Sequence, residues 1–107
     1  MIYIASPFTH PDPLVMKHRR DAVFLYAAEL TRRGVLCFSP IVYGYPFFAE
    51  YDFPPAFGHW QMLNDHLIGA SNGVHVLQLK GWEASLGVSH EIARATRLGL
   101  PIEYIQP

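Results

Sequence analysis

The 107-residue sequence predicts an α/β domain built on a parallel sheet, and three observations carry that expectation. Short apolar runs recur along the chain, each stopped by proline, glycine or a polar turn. Longer amphipathic stretches lie between them, so strand and helix signals alternate. Half of the residues are hydrophobic, which at this length supplies one core and not two.

The elements follow in order. Met1-Ile2-Tyr3-Ile4-Ala5 is apolar throughout and meets Ser6-Pro7, as expected of a strand buried on both faces. From Pro13 to Arg33, apolar Val15, Ala22, Val23, Tyr26, Ala27 and Leu30 share one helical face. Lys17, His18, Arg19, Arg20, Arg32 and Arg33 occupy the other, and Gly34 stops the helix. Val35 to Ser39 reads as a second strand closed by Pro40. Residues 41–56 mix prolines, glycine and aromatics without a stable period and predict a long loop. Phe57 to Ala70 carries Trp60, Leu63 and Leu67 at helical spacing. Asn72-Gly73 is a turn before a third strand, Val74 to Leu79. Ser85 opens a helix that runs to Leu98 and stops at Gly99, and Pro101 to Ile105 is a fourth strand.

Right-handed crossovers turn this alternation into a flavodoxin-like three-layer sandwich. It is expected as one domain over residues 1–107, with four to five parallel strands ordered 2-1-3-4. In such sheets the ligand crevice lies beyond the carboxyl ends of the strands. That places Ser6 to His10, Ser39 to Tyr45 and Lys80 to Ser89 around one opening.

Charge and composition narrow the function. The formal charge of −1, from 8 basic and 9 acidic residues, gives no pull toward nucleic acid polymers or anionic membranes. The lone Cys37 fits a reducing compartment. Neither a signal sequence nor a membrane-length apolar run is present, so a cytoplasmic location is expected. The six histidines show no metal-binding spacing, and no cofactor or metal is expected. No Walker loop, dinucleotide fingerprint or nucleophile elbow occurs, which argues against the corresponding enzyme classes.

The candidate chemistry lies in Ser85-Leu86-Gly87-Val88-Ser89-His90-Glu91. Ser85 is a good N-cap, Gly87 lets a ligand approach the first turn, and the amides there make an anion site. Helical spacing puts Val88, Ile92 and Ala95 on the core face and turns His90, Arg94 and Arg97 to solvent. Glu91 falls at the edge of the buried face, over Gly87, where a carboxylate serves more than solubility. Asp65 sits between Leu63 and Leu67, and Tyr3, in a buried strand, needs a partner for its hydroxyl. Phe38 to Trp60 holds nine of the fifteen aromatics, Tyr43 among them. Such a segment either stacks on a flat ligand or is buried against another subunit. A homo-oligomer is therefore expected.

Tyr3-Ile4-Ala5-Ser6-Pro7-Phe8, Asn64-Asp65, the Ser85–Glu91 segment and Gly99-Leu100-Pro101-Ile102 occur in an order that resembles the nucleoside 2-deoxyribosyltransferase superfamily. The Ser-Leu-Gly-Val-x-x-Glu form is most similar to its 2'-deoxynucleoside 5'-monophosphate N-hydrolase branch. The resemblance implies cleavage or transfer at an N-glycosidic bond, with a nucleoside or nucleotide as small-molecule partner. It implies Glu91 as nucleophile, with Asp65 and Tyr3 in support. It further implies Ser85 and Gly87 at a 5'-phosphate. The crevice beyond the strand ends adds Ser6, Pro7, Phe8, Tyr43 and Ser89 as candidate binding residues. Ser85 stands where the transferases have aspartate, which favours hydrolysis over transfer. A nucleotide-sensing module and an oligomeric interaction protein using residues 41–57 are the alternatives.

Overall fold

The structure, a computed structural model, describes residues 1–107. Strands β1 (Ile2–Ala5), β2 (Cys37–Phe38), β3 (Gly73–Leu77) and β4 (Ile102–Ile105) form one all-parallel sheet in the order β2-β1-β3-β4. Helices α1 (Pro13–Arg32), α2 (Pro40–Tyr51), α3 (Phe57–Gly69) and α4 (Leu86–Arg97) connect them. The arrangement is α/β with helices on both faces, compatible with a flavodoxin-like three-layer sandwich.

The sheet divides the core in two, because side chains alternate across a strand. Tyr3, Ala5, Val74 and Val76 point to one face and meet Ile68 of α3 with Val88 and Ala95 of α4. Ile4 and Leu77 point to the other, against Val23 and Leu30 of α1 and partly buried Ile41 and Val42 of α2. Tyr3, Ile4 and Ala5 are all fully buried. This is the burial on both sides that the unbroken apolar run predicts. β1 is central, paired with β2 through Ile2–Cys37 and with β3 through four residue pairs. Chain order reverses between β1 and β3, and the crevice opens at the carboxyl ends there. No helix is long and apolar enough to cross a membrane.

Residues 41–56 are not the long loop that their composition predicts, since α2 covers Pro40–Tyr51. Its start carries ordinary signals. Ser39 is the N-cap, its Oγ accepting from the amide of Val42 at 3.1 Å, and Pro40 takes the first helical position. Its interior hides the period, because Pro46 lies inside the helix and aromatics fall on every side. Asp52, in the left-handed conformation at φ 57°, ends it. The second strand is also shorter than the apolar run Val35–Ser39 suggests, with only Cys37 and Phe38 paired.

Candidate functional site

A cavity of about 400 Å³ lies at the carboxyl end of β1, within the size range of small-molecule sites. The loop after β1 gives it Ser6 and Phe8, α2 gives Gly44, Tyr45 and Phe48, and α3 gives Phe57, Trp60 and Asn64. Ser85, Gly87 and Glu91 come from the cap and first turns of α4. Five aromatic rings, those of Phe8, Tyr45, Phe48, Phe57 and Trp60, thus stand in its walls. Phe8 meets Tyr45 and Phe48 edge-on, with ring centroids 5.9 and 5.6 Å apart. The Arg20 guanidinium lies 5.2 Å from the Tyr45 ring centre and fixes that wall from behind.

Glu91 is the only carboxylate among the lining residues and is just 4% exposed. The Tyr3 hydroxyl donates to its Oε2. Burial pushes the Glu91 carboxyl up to about 8; the Tyr3 hydrogen bond opposes this, and the nearby Asp65 charge adds to it. The Tyr3 phenol is raised as well, first by burial and then by the Glu91 charge. The pair thus places a buried carboxyl beside five aromatic rings in the cavity wall.

Two other polar atoms at this cavity, unlike Glu91 Oε2, have no partner. Ser6 Oγ and Asn64 Oδ1 are buried and unbonded, and both residues are 5% exposed and line the cavity. Leaving a buried polar atom unsatisfied costs about 1–3 kcal/mol. A ligand that supplies donors beside Glu91 recovers that cost, so the cavity is prepared for a polar group at its apolar centre.

Of the residues named from sequence, Glu91, Ser6, Phe8, Ser85 and Gly87 line the cavity. Tyr3 lies outside the lining and reaches it through Glu91. Pro7 is fully buried and Ser89 is exposed, and neither borders the cavity. Tyr43 is half exposed and packs on Phe38 and Phe47 instead; the cavity tyrosine of α2 is Tyr45. Asp65 also lies outside the lining, with Oδ1 accepting from His90 Nε2 at 2.7 Å. His90 is consequently half-buried and packed on Phe57 at 5.0 Å, not turned to solvent.

The polar residue of α3 that enters the site is Asn64. In the structure Trp60, Asn64 and Ile68, four residues apart, form the inward stripe of the helix. The spacing of Trp60, Leu63 and Leu67 predicts Leu63 on that stripe, yet Leu63 is 37% exposed. Gly87 has a packing reason of its own. A Cβ there would stand 3.3 Å from the Phe57 ring, so the glycine lets α3 and α4 close together. Ser85 Oγ caps the Val88 amide at 3.2 Å, leaving the amides of Leu86 and Gly87 without carbonyl partners in the helix.

The loop after β3 is tied to the loop after β1 by Arg19. Its guanidinium donates to the carbonyls of Phe8 (3.4 Å), Thr9 (3.2 Å) and Lys80 (3.0 Å). Gly81 beside it adopts φ +89°, and a Cβ there would fall 2.7 Å from Arg19 Nη2. Arginine and glycine together hold the rim of the site.

The chain matches the domain of unknown function DUF1937 across residues 1–106 and belongs to that family. No curated protein matches it.

Proposed function

Starting from a family without an assigned activity, we propose that this chain cleaves the N-glycosidic bond of a nucleoside or nucleotide, with Glu91 as the nucleophile. The observation that carries the proposal is the Glu91 carboxyl, buried at the cavity floor and held by Tyr3 beneath rings able to cover a base. The resemblance of Ser85-Leu86-Gly87-Val88-Ser89-His90-Glu91 to the deoxyribosyltransferase superfamily supports the same assignment.

In the reaction, a Glu91 carboxylate oxygen bonds to the anomeric carbon as the carbon–nitrogen bond breaks. The bonding electrons leave with the base nitrogen, which takes a proton from water. A second water then attacks the glycosyl ester, releasing the sugar and a proton and restoring the carboxylate. Tyr3 keeps Glu91 aimed and favours its ionised form. Ser6 and Asn64 receive sugar hydroxyls, and Tyr45, Phe48 and Trp60 flank the base. Ser85 in the place of the transferase aspartate makes water the acceptor.

Binding without turnover is the second reading. It is favoured by the raised Glu91 carboxyl, which stays largely protonated at neutral pH without a ligand. We extend the proposal to self-association through the aromatic segment, where Tyr43, Tyr51 and Phe53 are 48, 67 and 40% exposed. Light scattering at micromolar concentration checks this separately, and a monodisperse monomer removes it.

The deciding experiment incubates wild type and Glu91→Gln with nucleosides and their 5'-monophosphates and follows free base by chromatography. Release by wild type alone is the expected result. Release by both, or by neither, overturns the catalytic reading. Thermal stabilisation by the same compounds without release leaves the binding reading.

A further inference from the structure

A second cavity, of about 700 Å³, adjoins the first and shares Thr9, Ala84 and Ser85 with it. The two differ in kind. The residues lining the first include no lysine, arginine or histidine, and its one acid is Glu91. Those lining the second include His10, His18, Arg19 and Lys80, and no aspartate or glutamate. In a chain of net charge −1, four of the fourteen lysine, arginine and histidine side chains thus face one acid-free hollow.

The basic groups are arranged for a ligand. Arg19 is anchored by three backbone carbonyls and stands as a fixed charge in the wall. His10 Nδ1 accepts from the Asp12 amide at 3.0 Å, which leaves its proton on Nε2, free to donate. Lys80 and His18 are exposed, form no ion pair, and can turn toward an anion in the hollow. Ser85 lies on the shared wall, at the helix end whose Leu86 and Gly87 amides lack carbonyl partners.

We propose that the second cavity binds the phosphate chain of the ligand, and that this chain is longer than a single phosphate. The ligand class is a nucleoside 5'-diphosphate or a larger phosphoanhydride-linked nucleotide. Its base and sugar fill the aromatic cavity, and its anionic tail crosses the Ser85 wall into the basic one. A nucleoside alone leaves the second cavity empty, and a monophosphate reaches only the shared wall. The proposal rests on the nucleotide reading of the first cavity, but its own ligand is the anion.

The test measures calorimetric binding of inorganic pyrophosphate at constant ionic strength to wild type, to Glu91→Gln and to the double variant Lys80→Ala, His18→Ala. Both substituted side chains are exposed, so the variant keeps its fold, which circular dichroism checks. Wild type and Glu91→Gln are expected to bind alike, and the double variant at least tenfold more weakly. The common nucleoside 5'-diphosphates are then compared with their monophosphates. In at least one base series the diphosphate binds tenfold tighter, and the double variant erases that gain. No pyrophosphate binding, equal binding by the double variant, or no diphosphate gain in any series overturns the proposal. Base release is read independently. Pyrophosphate binding without base release keeps the anion site and removes the Glu91 chemistry, whereas base release without pyrophosphate binding does the reverse.

Discussion

The hydroxyl of Tyr3 on the central strand donates to Oε2 of Glu91 on α4, joining residues 88 positions apart in a buried pair. That bond is the main force holding the Glu91 carboxyl down against burial. Tyr3→Phe removes the donor and leaves the desolvation. The Glu91 carboxyl then rises further, and the pH at which activity appears moves upward. The kcat/KM profile of wild type should climb with pH and level off above about 8. For Tyr3→Phe the climb shifts to higher pH, costing about tenfold in kcat/KM at pH 7 per unit moved. An unshifted profile with lower activity would show that Tyr3 contributes packing alone.

The same carboxyl sets a pH dependence of stability. Its folded value of about 8 lies above its ordinary 4.5, so the folded state holds a proton that the unfolded state releases. The contribution is therefore complete below pH 4.5 and is lost as pH rises through about 8. Between pH 5 and 8 the unfolding free energy should fall by about 4 kcal/mol from this group. Glu91→Gln, which cannot ionise, lacks that fall. Urea denaturation of both proteins at the two pH values reads the difference, and parallel loss in the two would refute the assignment.

Asn64 and Asp65 are neighbours on α3 with opposite fates, one lining the cavity and one bound to His90. Asn64→Leu removes the unpartnered Oδ1 and is expected to leave Tm unchanged or raised, while KM increases about tenfold from the lost hydrogen bond. Asp65→Asn should leave KM within about twofold, well under the tenfold step of 1.4 kcal/mol. It also lowers the Glu91 carboxyl, because a negative charge nearby is gone. Its pH profile thus moves down where that of Tyr3→Phe moves up. A large KM effect in Asp65→Asn with none in Asn64→Leu would return the ligand contact to the aspartate.

The first strand was legible because burial on both faces leaves an unbroken apolar run, Tyr3-Ile4-Ala5, and the third because Val74, Val76 and Leu77 stay apolar around His75. The topology followed from their alternation with helices. α2 was not legible, since Pro46 and rings on every side erase its period, although Ser39-Pro40 announced its start. The edge position of Glu91 was readable from its spacing to Val88 and Ala95. The choice between Asn64 and Asp65 was not, because a shift of about 100° on a helix separates cavity from rim. A carboxylate beside an amide also draws attention to the charge. Arg19 read as one of a solvated basic face, and only the tertiary structure brings the carbonyls of Phe8, Thr9 and Lys80 to it.

Arg19 and Gly81 yield a prediction about the frame that holds both cavities open. Gly81→Ala forces a side chain to φ +89° and places its Cβ 2.7 Å from Arg19 Nη2. The left-handed conformation alone costs roughly 1–2 kcal/mol. Displacing the guanidinium adds the loss of its bonds to the three carbonyls. Together these should lower Tm by at least several degrees for a chain of this size. The steric part vanishes if the guanidinium is absent, so adding Gly81→Ala to Arg19→Ala should cost less than adding it to wild type. A double-mutant cycle in Tm or denaturation free energy measures that coupling. Full additivity would mean that the backbone conformation of Gly81, and not its contact with Arg19, accounts for the glycine.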